Sequence, residues 1–354
     1  MTAVYVVEQN STILKEGERL LIKKEGKILH TIHMFKLDQL VLFGNVSITP
    51  PAITYLLKEG IDTVFMTKHG RYKGRLQGLI SKNITLRKEQ FLKLSDSHFS
   101  LKTAGYIING KLNNLRSVLL RINRSRKDLR LDNFILRLRN LQRDISSAKD
   151  IEKLRGIEGR GSAIYFEAFS HCIKPMDIKF RKRLRRPPPD PVNALLSLGY
   201  TFLFNEVLSA ISMIGMDPYL GALHSIEYGR PSLALDLMEE WRPILIDTLV
   251  LSLFNLNTIT KKDFEISKEY YEIPDFELPD ETDEKRQEDM LPVKLRPEGM
   301  KKFITQFERK MAQKITYHLN GQQLSYRDCI REQIRHFARY IRGEDREYSP
   351  IIIR

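Results

Sequence analysis

Up to about residue 80, apolar residues come in short runs broken by Gly and Asn. AVYVVEQ, TILKEG, RLLIKKEG, KILHTIH, QLVLFG and NVSI are rich in Val, Ile and Leu and predict strands. One helix interrupts them, with Thr49 as its cap, Pro50 in its first turn and Gly60 at its end. IDTVFMT and KHGRYKG then return to strand. From about residue 85 the apolar spacing changes to three and four residues, which predicts helices. These are LKTAGYIINGKLNNLRSVLLRIN, LDNFILRLRNLQRDI, EKLRGIEGRGSAIYFEAFSHCI, NALLSLGYTFLFNEVLSAISMIG, a stretch from Ser232, MKKFITQFERKMAQKI and LSYRDCIREQIRHFARYIRG. The expected fold is α+β. A small N-terminal β-rich domain (1–84) precedes a larger all-helical domain (85–354), and no solenoid repeat is visible.

Length agrees with two domains: 354 residues exceed what one core usually organises. The longest apolar run is read as ILIDTLVLSLF, short of the roughly 20 residues that span a bilayer, so no membrane is expected. MTAVYVVEQN has neither the basic start nor the apolar core of a signal peptide. Two cysteines, Cys172 and Cys329, cannot build a disulfide framework or a structural zinc site and fit a reducing cytoplasm.

Charge sharpens the picture. The net charge is +14, yet Asp263–Asp289 holds twelve acids against three bases, a local net of −9 that leaves +23 on the rest. A body so basic attracts polyanions, above all nucleic acid. The acidic stretch, about 264–290, contains Pro274 and Pro279, lacks periodicity and reads as a loop. Seven of the thirteen residues from Lys174 to Arg186 are basic, three prolines follow, and Asp190 with Pro191 then opens a helix. Within this segment Lys182, Arg183, Arg185 and Arg186 are candidate phosphate contacts. Arg116, Arg121, Arg124, Arg126, Arg137, Arg139 and Arg143 extend the basic footprint along helices.

Two stretches carry candidate chemistry. In the helix from Ser232, its expected N-cap, Asp236, Glu239, Glu240 and Asp247 fall on one side of an otherwise greasy element, with a kink expected at Pro243. In LRGIEGRGSAIYFEAF, Glu158 shares a face with Gly161, Ser162, Tyr165 and Phe169, and the glycines at 156, 159 and 161 leave room for a close neighbour. His224 adds an imidazole. Carboxylates with one imidazole suit Mg²⁺ or Mn²⁺ better than Zn²⁺, and such an ion makes clustered acids tolerable in a buried setting. Spacing alone does not separate this reading from solvated acids and a structural histidine.

Three blocks together, LRGIEGRGSAIYF, RLRRPPPDPVNALLSLGYTFL with GMDPYLGALHS, and GRPSLALDLMEEWRP, resemble one family over nearly the whole chain. It is the CRISPR-associated integrase-endonuclease that installs new spacers, the universal first CRISPR-associated protein. The resemblance implies metal ligands at Glu158, His224 and Glu239, with Asp236 as a further acid of the catalytic group. It implies a metal-dependent DNA endonuclease and strand-transferase that inserts short double-stranded fragments into a CRISPR array. It also implies a homodimer in which the β domains take part, and a small ferredoxin-like partner, the second CRISPR-associated adaptation protein. A non-catalytic DNA-binding scaffold of the same fold is the alternative; an RNA-processing enzyme finds no RNA-stacking motif in support.

Overall fold

The computed structural model describes residues 2–33, 35, 37–78, 83–184, 187–267 and 291–353. The chain divides into two compact units on either side of position 80.

The first unit holds β1 (Thr2–Val6), β2 (Ser11–Glu16), β3 (Arg19–Lys24), β4 (Lys27–His33), β5 (Leu37–Phe43), β6 (Val46–Ile48), α1 (Pro50–Lys58), β7 (Asp62–Met66) and β8 (Tyr72–Leu76). They form two four-stranded sheets, ordered β1-β5-β7-β8 and β4-β3-β2-β6. Alternation drives the packing: Ile13, Leu20, Ile22, Leu40 and Leu42 turn into one core with Ala52 and Leu56 of α1. Thr49 does not cap α1 with its side chain; its hydroxyl donates instead to the Ile13 carbonyl. β4 is the outer strand of its sheet and is almost entirely exposed.

The second unit contains α2 (Ile84–Ser95), α3 (Ser97–Ser125), α4 (Asp132–Arg143), α5 (Ile151–Cys172), α6 (Pro191–Ile214), α7 (Ser232–Met238), α8 (Thr248–Asn255), α9 (Pro297–Ala312) and α10 (Tyr326–Arg342). Caps set their starts. Asp96, Asp150, Asp190 and Ser325 each accept from a backbone amide three residues on, at the heads of α3, α5, α6 and α10.

The unit is not all helix. β9 (Phe264–Ile266) pairs with β10 (Val293–Leu295), and β11 (Lys314–Thr316) with β12 (Gln323–Ser325). Phe264–Ile266, expected in the acidic loop, is therefore strand; positions 268–290 lie outside the described residues. Lys314 and Ile315, expected at the end of a helix, belong to β11, because α9 stops at Ala312. α6 also corrects the reading of apolar runs. It is long and apolar enough to cross a bilayer, the one such helix among the described residues, and it is almost wholly buried as a core helix. Pro243 has the predicted effect: α7 ends at Met238, and a π-helical turn over Arg242–Asp247 leads into α8.

Candidate active site

Asp236 is the anchor. It lies on α7 and is fully buried. Its Oδ2 accepts from the amides of Ala222 (2.6 Å) and Leu223 (2.9 Å). Its Oδ1 accepts from the His224 amide at 3.0 Å and faces the His224 Nδ1 at 2.6 Å. Four such partners compensate a buried carboxylate. They engage both of its oxygens, and one of the four is the His224 ring. With Nδ1 turned to the carboxylate, Nε2 is the ring nitrogen that Asp236 does not engage, the arrangement that carboxylate–histidine pairs use toward metals.

The loop carrying His224 is braced from several helices. Gln90 on α2 donates to the carbonyls of Asp217 and Leu220, and Arg155 on α5 donates to that of Leu223 (2.9 Å). Gly221 lets this loop reach α7: a Cβ there would stand 2.4 Å from Asp236 Oδ2 and 2.8 Å from the Ser232 backbone. Ser232, expected as an N-cap, is the first residue of α7, and its hydroxyl donates to the Ser225 carbonyl.

Glu158 and Glu239 meet at a residue that sequence reasoning missed. The Lys111 ammonium, on α3, pairs with Glu158 Oε1 and lies 2.6 Å from Glu239 Oε2. Both partners of that second contact are buried. Ser162 donates to Glu158 Oε1 at 2.8 Å. Arg242 Nη1 lies 3.0 Å from Glu239 Oε1, and its guanidinium stacks over the Tyr200 ring at 4.8 Å. Burial would raise the Glu239 carboxyl, but Arg242, Lys111 and His224 hold it down at about 2. His224 is thus within electrostatic reach of Glu239.

Lys111 left a legible signal: it stands one turn from Ile107, Ile108 and Leu115, on the buried stripe of α3, where a lysine needs a partner. Arg242 is three residues from Glu239 on a helical element. Arg155 left no signal.

The four acids expected on one side do not share a destination. Glu240 turns to Tyr348 (2.6 Å) and the Ile351 amide (2.8 Å), and burial pushes its carboxyl up to about 8. Asp247 accepts from the Tyr200 hydroxyl at 2.6 Å, with burial raising it to about 6. Of the three glycines beside Glu158, Gly161 has the close neighbour, with its notional Cβ 2.3 Å from Leu112 Cδ2, while 156 and 159 face open space.

In the basic segment, Arg183 turns inward. It donates to the Leu184 carbonyl, Asn193 Oδ1 and Ser197 Oγ and stacks on Tyr200 at 5.5 Å. The expected phosphate contact is here a clamp on the head of α6. Lys182 is exposed, and Arg185 and Arg186 lie outside the described residues.

Among the described residues no three of His, Cys, Asp and Glu gather closely enough to hold an ion. The donor set nevertheless fits a hard divalent cation. Two carboxylates share one cationic neighbour, and the charge of the His224 ring is felt at Glu239.

A β unit followed by a helical unit, with a buried acid–ammonium–imidazole group in the helical part, defines the class. The profile of the family described as CRISPR associated protein Cas1 matches residues 4–285. A CRISPR-associated endonuclease Cas1 of Thermus thermophilus is 34% identical, covering 99% of this chain and 97% of the relative. Another from Chlorobaculum tepidum is 34% identical, covering 100% and 99%. A casposase bound to integration product superposes with a TM-score of 0.83 at 20% identity, covering 100% of this chain and 95% of that one. A Cas1 protein from Thermotoga maritima gives 0.77 at 22%, covering 98% and 99%. A Cas6-RT-Cas1–Cas2 complex gives 0.80 at 23%, with this chain spanning 36% of the matched one. The chain belongs to the Cas1 family of CRISPR-associated proteins.

Proposed function

We propose that the protein is a divalent-metal-dependent DNA endonuclease and strand-transferase that inserts short double-stranded fragments as new spacers into a CRISPR array. The observation that carries this is the meeting of Glu158 and Glu239 at Lys111, with the His224 imidazole held by Asp236 and within electrostatic reach of Glu239. Glu158, Glu239 and His224 Nε2 would hold Mg²⁺ or Mn²⁺. The ion, when bound, polarises a phosphate and offsets charge on the leaving oxygen. The protein's own residues do the rest. Arg242 keeps positive charge at the site, held between Glu239 and Tyr200. Depressed to about 2, Glu239 stays ionised at any working pH. A water or a 3′-hydroxyl attacks the phosphorus in line as the opposite P–O bond breaks.

Exposed Arg121, Arg124, Arg137, Arg139 and Arg143 on α3 and α4, with Lys182, supply sequence-independent grip on DNA. The relatives' names and the DNA-bound casposase support this reading. The exposed outer strand β4, with Ile28 and Leu29 open, supports a homodimer through the β units. The Cas6-RT-Cas1–Cas2 complex among the similar structures supports a small second adaptation protein as partner.

The test is cleavage and joining of labelled duplex DNA with Mn²⁺ or Mg²⁺, with and without chelator, for wild type and Glu158→Ala. Activity should need the ion and fall at least about a hundredfold in the variant. DNA binding should survive in both, with affinity falling linearly on a log scale as salt rises. Equal activity in Glu158→Ala removes the site. Binding without any activity in the wild type leaves a non-catalytic DNA scaffold.

A further inference from the structure

Glu240 faces away from the site, and what it faces is a strap. Residues 345–353 follow α10 and run back across the unit. Tyr348, fully buried, donates to Glu240 Oε1 at 2.6 Å, and the Ile351 amide donates to Oε2 at 2.8 Å. The backbone of Glu240 is held as well: Asn114 Nδ2 donates to its carbonyl at 2.9 Å and to that of Ile351 at 2.8 Å. Pro350 sits in a notch on α3 that only a glycine leaves open, since a Cβ on Gly110 would lie 2.4 Å from Pro350 Cβ and 3.7 Å from that of Glu240. The far side is fixed from α10, where Gln333 donates to the Tyr348 hydroxyl and the Ser349 carbonyl, and His336 Nε2 accepts from the Ser349 amide at 2.9 Å.

These contacts converge on one peptide unit. Gly110 and Asn114 bracket Lys111 on α3, and Glu240 follows Glu239 directly. The same turn of α3 therefore pairs with the Glu239 carboxylate on one side and grips the backbone of Glu240 and the strap on the other. Glu239 stands just after the end of α7 and ahead of the π-helical turn, where the regular ladder that would otherwise fix it is interrupted. We propose that the segment 345–353 is a positioning strap for the active site, in which Tyr348 and Glu240 set where the Glu239 carboxylate is presented. Neither residue touches the reacting atoms; both act through the backbone they share with Glu239.

The proposal rests on the metal-nuclease reading, and the experiment separates the two. Wild type, Tyr348→Phe, Glu240→Gln and the double variant are compared as full chains. Mn²⁺ affinity is measured by calorimetry without DNA, kcat and KM are measured separately on duplex DNA, and melting temperature is followed in parallel. Each single variant should stay folded, bind Mn²⁺ about tenfold more weakly and lose kcat with KM unchanged. The double variant should be no worse than the worse single one, because both changes loosen the same pair of strap contacts on Glu240. Should Tyr348→Phe not fold, Gln333→Ala, which loosens the strap from its outer side, is read in the same way. Single variants that match wild type in Mn²⁺ affinity and kcat, whatever their melting temperature, overturn the strap. A wild type that neither binds Mn²⁺ nor cuts DNA sinks the nuclease reading and the strap with it.

Discussion

Glu239 and Glu240 are identical in chemistry and adjacent in the chain, yet their carboxyls sit at about 2 and about 8. Both are buried, so burial cannot be what separates them. Glu239 faces Arg242 and Lys111, while Glu240 faces a hydroxyl and an amide. Lys310 shows the same physics with the opposite charge. Burial, with Arg121 nearby, pushes its ammonium down to about 8, against about 10.5 in an unfolded chain. Between those values the unfolded state binds more protons, so stability rises as pH climbs through the window. Lys310→Met should raise the urea midpoint at pH 7 and flatten the rise between pH 8 and about 10.5. A variant that keeps the wild-type pH profile refutes the assignment.

At the scale of elements, the helical unit is tied by a buried ion cluster. Arg327 on α10 grips Glu206 on α6 through its Nε and Nη2, with a shortest contact of 2.7 Å, and reaches Glu308 on α9 at the same distance. Removing the cation strands a buried carboxylate, so Arg327→Ala should cost about 3–5 kcal/mol in denaturant unfolding. A midpoint and slope equal to wild type would refute this. The elements themselves were legible from pattern: a short unbroken apolar run in QLVLFG gives β5, buried between its parallel neighbours β1 and β7, and three- and four-residue spacing in the later blocks gives the helices. Pro243 announced its break.

Destinations were less legible. The hydroxyl of Thr49 and that of Ser232 prefer a carbonyl across space to the capping amide, a choice local sequence does not encode. Residue types left Glu158, His224 and Glu239 open, and only the family resemblance singled them out; the residues alone did not reveal Lys111 as the point where Glu158 and Glu239 meet. They did not reveal that Asp236 would be consumed by three amides and a ring nitrogen, or that Arg183 would turn toward Asn193. Those outcomes depend on loops whose course is set by partners more than a hundred residues away, such as Gln90 with Leu220.

For the molecule as a whole, charge is partitioned by role. Exposed arginines on α3 and α4 offer a surface to a polyanion. In the interior, Arg327 offsets Glu206, and Lys111 offsets Glu158 and Glu239. Its ammonium already supplies the countercharge that draws α5 and the stretch after α7 together. At this point of the fold the countercharge is a residue of the chain itself, unlike in small domains that are chains of ligands waiting for zinc. Stripping the protein with a strong chelator should leave its melting temperature unmoved while silencing it. A melting temperature that drops on chelation would show that the lysine is no substitute. If the proposed metal dependence holds, a protein built this way folds and assembles first and is armed afterwards, where the divalent ion and DNA coincide.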